Sequence, residues 1–311
     1  MRERGASLRA DLSLVAVAAV WGFTFAAVQR ALEEAGPMSF LAARFSLAAA
    51  ALALAFRGRA LRVSAAELRS AALLAICLTA GYGLQTCGLL HTTASKSAFI
   101  TGLSVVLVPM LSFALSRGVP RLSSALAVVL AAVGLYLMTA PGAGRFNLGD
   151  LLTLGCAAAF ALHIATAERV APRHDPVPLA FWQIAFTAAA SALLMGATET
   201  PRLAITPWTV AALLVTGVLA TAAAFAVQMW AQRETSATHV AVIFTGEPVF
   251  AAIFARVIQR EVLGPAGLLG GALIVGGMLV AQLGAGPCPP PPTEAGEELT
   301  GGPARARRSG P

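Results

Sequence analysis

From Thr92 the chain reads Thr-Thr-Ala-Ser-Lys-Ser-Ala-Phe-Ile, and from Thr235 it reads Thr-Ser-Ala-Thr-His-Val-Ala-Val-Ile. Four of the nine positions are identical and two more are Ser/Thr exchanges, all at the offset of 143 residues that carries Thr92 onto Thr235. The same offset carries Gln85 onto Gln228, each inside the apolar run before its motif. Each copy joins two long apolar segments through a few polar residues. The second copy continues into Phe244-Thr-Gly-Glu-Pro-Val-Phe250, which sets a carboxylate and a proline inside hydrophobic sequence. A hairpin written twice, once in each half, marks a chain built from an internal repeat.

The 311 residues are 57% hydrophobic and 12% charged, with mean hydropathy +0.75. Soluble domains carry about a quarter charged residues, so this is a membrane chain. Its apolar runs are about 20 residues long, the length that crosses ~30 Å of hydrocarbon. They do not alternate with the period of two that barrel strands need, so the spans are helices. The pI near 10.2 does not indicate nucleic acid, because the arginines are scattered over short loops without a basic stripe or interleaved aromatics. Cys77, Cys87 and Cys156 fall inside apolar runs and Cys288 in the tail, which reads as buried small hydrophobes rather than a disulfide framework. No zinc-like spacing and no phosphate-binding loop occurs, so no metal or cofactor is expected.

The spacing predicts an all-α membrane protein with ten transmembrane helices in two inverted five-helix repeats. After a basic cytoplasmic start (residues 1–11), the spans are Leu12–Gln29, Pro37–Phe56, Leu68–Leu90, Ala94–Leu115, Leu122–Thr139, Leu148–Ala167, Val177–Ala197, Pro207–Trp230, Thr238–Ile258 and Gly264–Leu283. The first has the basic lead of a signal peptide, but its length and its Trp21-Gly22 and Thr24 argue for a span. The repeats are residues 12–140 and 148–284, joined at Pro141-Gly-Ala-Gly144, and the Pro/Gly-rich tail 285–311 is expected to be a disordered cytoplasmic segment. With the N-terminus inside, the cytoplasmic loops hold 15 Lys and Arg against 6 outside, Lys96 among the latter, with Arg44 left over in the second span. Both termini are thus expected in the cytoplasm, in a cytoplasmic (inner) membrane. Five spans per half make the second half enter from the opposite face.

Ionisable groups inside spans cost about 2.5–3.5 kcal/mol at the helix centre, and three stand out. Arg44 is the eighth residue of its span. It either snorkels or pairs structurally, or it touches substrate. Glu247 lies near the midplane before Pro248, which would free the carbonyl of Phe244 as a helix kink. It either shapes that kink or holds a proton, cation or amine. Pro109 is the corresponding kink candidate of the fourth span, with no acid beside it. His163 is a hydrogen-bonded core histidine or a cavity residue. Ser97, Thr101 and Ser104 form one face of the fourth span and Tyr82 with Gln85 one of the third. Ser and Thr often only join helices, whereas Gln85, Gln183 and Gln228 suit a wet cavity, which Trp21, Thr24 and Trp182 would help line. Gly267-Leu-Leu-Gly-Gly271, with Gly276-Gly277 below it, is a small-residue face for packing within the chain or for a homodimer.

At these residues the sequence resembles the drug/metabolite transporter superfamily, specifically the EamA-type ten-helix permeases. The matching features are Trp21-Gly22, Pro37 with Arg44-Phe45, the Thr92–Pro109 stretch, Glu247-Pro248 and Glu261. Phe160-Ala-Leu-His163 departs from the Trp-Ala and aromatic that the family pattern carries there. The resemblance implies a central cavity and the movement of small metabolites. The expected function is a secondary transporter, not an enzyme, that moves a small metabolite, amino-acid-like compound or drug by alternating access, as an exporter coupled to protons. Its expected partners are that solute and the lipid bilayer. A non-transporting membrane scaffold or complex subunit is the alternative, with an intramembrane enzyme behind it for want of paired acids or a Ser/His set.

Overall fold

A computed structural model describes residues 2–108, 111, 122–139, 145–170, 173–224 and 243–283. Pro109, Gln228, the linker 140–144, the second copy of the motif up to residue 242 and the tail lie outside the described residues. The described chain is helical, and its bridge between Ala35 and Leu203 is an isolated antiparallel pair rather than a strand. We label α1 Arg2–Ala31, α2 Pro37–Phe56, α3 Ala65–Gly88, α4 Ala94–Gly102, α5 Leu122–Thr139, α6 Leu148–Val170, α7 Pro176–Thr198, α8 Pro207–Leu213, α9 Glu247–Gln259 and α10 Pro265–Leu283. A helical turn, Gly58–Leu61, joins α2 to α3. Six of these helices contain apolar spans long enough to cross a membrane: Leu12–Ala31, Pro37–Phe56, Ala65–Gly88, Leu122–Thr139, Leu148–Ala167 and Pro176–Thr198. Ala94–Val108, Pro207–Ala223 and Pro265–Ala281 are shorter apolar helices. The chain is therefore a multi-pass membrane protein.

The helix starts are set locally. Pro37, Pro176 and Pro207 occupy first turns, where the missing N–H has no partner to lose. Ser64 and Glu67 close a reciprocal capping box on α3, and Asp175 and Thr206 cap α7 and α8. The eighth span departs from the expected regular helix. After α8 it continues as a π-helix, Leu214–Ala223, and Thr221 Oγ1 donates to the Thr216 carbonyl five residues back at 2.7 Å.

The principal helix pairings are α5 on α10, α2 on α7, α3 on α6 and on α7, α1 on α9, α4 on α6 and on α9, and the π-helix on α2 and α1. Small residues let the closest of these form. A Cβ on Gly134 would stand 2.6 Å from the Gly270 carbonyl, and one on Gly270 would stand 2.5 Å from the Gly134 carbonyl. Gly271 makes room for the Phe99 ring and Gly277 for the Ala127 carbonyl. The glycines 270, 271 and 277 are thus occupied by packing within the chain, whereas a Cβ on Gly276 would meet nothing.

Polar contacts gather at the two ends of the bundle. At one end the Glu199 carboxylate accepts from the backbone N–H of Ser39 and Met38 and from the Ser39 hydroxyl, at 2.7, 3.3 and 2.7 Å, and so caps α2. Glu34 answers by accepting from Thr206 and Thr209 (2.5 and 2.8 Å) at the start of α8. A carboxylate at a helix N-terminus meets unpaired N–H groups and a favourable dipole. Each half therefore reaches a helix start of the other, Glu199 as a cap on α2 and Glu34 through the hydroxyls of Thr206 and Thr209. At the opposite end Arg59 pairs with Asp175 at 3.2 Å, Glu67 accepts from the Asp175 N–H, and Ser70 meets His174 at 2.9 Å.

Candidate functional site

The fourth and ninth spans, expected as kinked continuous helices, are both interrupted, and at matching places. The Leu103 N–H donates to the Ile100 carbonyl at 3.0 Å, three residues back, and the Gly246 N–H donates to the Ile243 carbonyl at 3.0 Å. Val106 and Leu107 then bond back to Leu103, as Val249 and Phe250 bond back to Gly246. Each of these positions is separated from its counterpart by the 143 residues of the repeat. A tightened turn of this kind is a common hinge in a long helix. This corrects the role expected of Pro248. The ladder is already broken at Gly246, and Pro248 sits in the first turn of α9, where its missing N–H costs nothing. The break in the fourth span needs no proline at all, since Val105 stands at the equivalent position.

The first residue after each break is Ser104 in one half and Glu247 in the other. Ser104 is buried, and Glu247 keeps some accessible surface. The breaks lie close together, with a Cβ on Gly102 3.4 Å from Pro248. Gly22 brings α1 onto the same place: a Cβ there would stand 2.8 Å from the Glu247 carbonyl and 2.7 Å from the Phe250 Cβ. Beside it Trp21 donates to the Ala220 carbonyl of the π-helix at 2.7 Å, and its ring lies 4.9 Å from Phe244. Thr24 donates to the Trp21 carbonyl of its own helix.

Tyr82 connects this region to Arg44. The Arg44 guanidinium lies over the Tyr82 ring, 4.7 Å from its centre, and the ring meets Phe45 and Phe160 edge-on at 5.0 and 5.1 Å. Glu247 is within electrostatic reach of both Tyr82 and Cys156. Arg44 is 3% exposed, which rules out snorkelling, and it forms no ion pair with any described residue.

The other expected residues fall into two seams. Gln85 donates to Thr101 (3.3 Å), Thr101 approaches the Cys156 sulfur (3.9 Å), and Ser97 lies 3.5 Å from Thr153, so this face joins α4 to α3 and α6. His163 shares a 2.9 Å hydrogen bond with Gln183 between α6 and α7. Trp182 instead packs against Phe181 and Phe186 among the apolar residues of α3 and α7. None of the expected site residues that are described lines the apolar grooves between α3 and α7 (about 810 Å³) and between α9 and α10 (about 790 Å³).

One pair was not expected. Lys96, counted as an outer loop charge, is buried in the first turn of α4, where its Nζ lies 2.7 Å from Asp150 Oδ2. The same carboxylate accepts from Thr92 and from the Asn147 N–H, and the Asn147 side chain accepts from the Asp150 N–H at 3.0 Å. Gly149 makes this possible, since a Cβ there would stand 2.5 Å from the Gly88 carbonyl. The signal was Asn147-x-x-Asp150, a reciprocal capping pattern at the start of an apolar run. With Lys96 paired, the count of outer charges falls by one.

The model of the EamA-like transporter family matches residues 8–140 and again 147–282. A protein of Archaeoglobus fulgidus named as an uncharacterized transporter is 33% identical over 276 residues, which cover 89% of this chain and 86% of the relative. Another of the same name and organism is 26% identical over 280 residues, 87% of this chain and 96% of the relative. A crystal structure at 20% identity superimposes with TM-score 0.64 over 91% of this chain and 98% of its own, and at that identity it speaks for the fold alone.

Proposed function

Since the chain belongs to the EamA-like transporter family, within the drug/metabolite transporter superfamily, we propose that this membrane transporter is a secondary exporter of a small organic solute. It works by alternating access between two inverted five-helix halves, α1–α5 and α6–α10, in the cytoplasmic membrane. The observation that carries the reading is the matched pair of helix breaks at Leu103 and Gly246. Broken helices facing one another between repeats are how carriers of this kind build a site at mid-membrane depth.

The packing supports the same reading. Exchanging each helix of the first half for its counterpart five places on turns α3 on α6 into α8 on α1, α1 on α9 into α6 on α4, and α3 on α7 into α8 on α2, all of them pairings that occur. The polar contacts at each bundle end join loops assigned to the same side of the membrane. Glu34, Lys96, Asp150 and Glu199 belong to the outer side, and Arg59, Glu67 and Asp175 to the cytoplasmic side, with both termini.

In this mechanism Glu247 is the coupling residue. It stands at a helix N-terminus between the halves, with no ion-pair partner among the described residues. A carboxyl exposed to the two sides in turn loads a proton on one and releases it on the other. Arg44, Tyr82, His163 and Gln183 give the solute its polar contacts, and Ser104 faces it from the first half. The test is a single cysteine at Ser104 in a cysteine-free background. Small polar thiol reagents should modify it when added from either side of the membrane. A cysteine inert from both sides would make the breaks packing features and remove the site.

A further inference from the structure

Arg44 is the least compensated group in the described structure. Its guanidinium carries five N–H donors and a full positive charge at 3% exposure. Its Nε is buried without an acceptor, and no carboxylate of the described residues lies within 4 Å. Beyond the neighbouring Tyr82 hydroxyl, no acceptor is within its reach among the described residues. A buried charge left without a partner is strongly destabilising, and in a membrane span it marks a site of use. The ring under it supplies only part of what is missing, because an aromatic face offers a guanidinium neither a full negative charge nor acceptors in its plane. What remains is a demand for one negative charge with two acceptors in a plane.

We propose that Arg44 and Tyr82 form a subsite for the carboxylate of a monoanionic organic solute. The inference rests on the transporter reading and names the chemistry of its cargo. The carboxylate takes the fork of the guanidinium in a bidentate pair, which fixes orientation as well as charge. Tyr82 holds the guanidinium plane, and Phe45 and Phe160 hold Tyr82 edge-on from both sides. The second span is itself held at this depth, since a Cβ on Gly217 of the π-helix would stand 2.9 Å from the Arg44 carbonyl. One cation balances one negative charge. A phosphate monoester, at about −1.5 to −2, would bring an uncompensated charge into the same apolar surroundings. The same rings suit an apolar body on the solute.

The experiment uses the full chain purified in lipid nanodiscs at pH 7, with acid and amide pairs as probes: butyrate and butyramide, 3-phenylpropionate and 3-phenylpropanamide, N-acetyl-L-leucine and N-acetyl-L-leucinamide. At least one carboxylate should raise the melting temperature in a concentration-dependent way while its amide does not. Arg44→Met should weaken that response at least tenfold, and Arg44→Lys should restore only part of it. Should Arg44→Met fail to fold, protection of the parent's Arg44 from phenylglyoxal by the carboxylate and not by its amide decides instead. Equal responses to acid and amide, no response to any probe, or a parental response in Arg44→Met overturns the subsite. Flux into proteoliposomes separates the two ideas. Solutes moved at the parental rate by Arg44→Met remove the subsite and leave the carrier, whereas a parent that moves no solute of any charge removes the carrier.

Discussion

Lys96 of the first half and Asp150 of the second form an ion pair with side chains 7% and 0% exposed, their Nζ and Oδ2 2.7 Å apart. The pair ties the start of α4 to the start of α6, and Thr92 and Asn147 satisfy the rest of the carboxylate. A buried pair of this kind adds little over an apolar replacement, but removing one partner strands the other. Asp150→Asn and Lys96→Met should each lower stability by about 3–5 kcal/mol. The double variant should lose less than the sum of the two. Thermal unfolding of the four proteins in one detergent gives the coupling, and additive losses would show that the two charges are not coupled.

The crossing of α5 and α10 gives a sharper steric prediction. Gly270→Ala pushes a methyl group against the Gly134 backbone, which cannot rotate away, so the helices must part at a cost of about 1–3 kcal/mol. Gly276→Ala, on the same helix with open space before it, should be neutral or stabilising by up to about 1 kcal/mol. The order of the two melting temperatures is the readout, and equal values would contradict the close crossing.

The crossing was half legible in sequence. The small residues of the last span were visible, but whether they met this chain or a second copy depended on Gly134, 136 residues before Gly270 and with no local signal of its own. The same limit explains the other outcomes. Long apolar runs and prolines marked the helices closely, α2 at its very ends. Helical spacing singled out Thr101 and Ser104, depth singled out Glu247, and the repeat marked the two copies of the hairpin. It did not show that Leu103 and Gly246 break their helices, because the visible breaker, Pro248, lies two residues past the cause. Lys96 looked like a loop charge because a residue's partner 54 positions away cannot be read from its neighbours. The π-helix has no sequence signature in Leu214–Ala223 that separates it from an ordinary apolar helix.

The Glu34 contact with the start of α8 predicts a pH dependence. Hydrogen bonds from Thr206, then Thr209, hold the Glu34 carboxyl below its usual 4.5. A lowered value in the folded state contributes stability that is fully present above the ordinary value and fades as pH falls through the folded one. Glu34→Gln should therefore lower the melting temperature by a constant amount above about pH 5.5, and the difference should shrink below pH 4.5. A difference that does not change across this range would mean that the contact is steric and not ionic.

Flux into proteoliposomes tests the proposed coupling of solute to proton movement through Glu247. The solute identified by the acid and amide panel is followed with and without an imposed pH gradient, for the parent and for Glu247→Gln. The amide keeps the side chain's shape and loses its titration. The parent should concentrate the solute in response to the gradient, and Glu247→Gln should fold normally but only equilibrate it. A variant that still concentrates the solute as the parent does would leave Glu247 without a coupling role, and a parent indifferent to the gradient would leave the carrier uncoupled to protons.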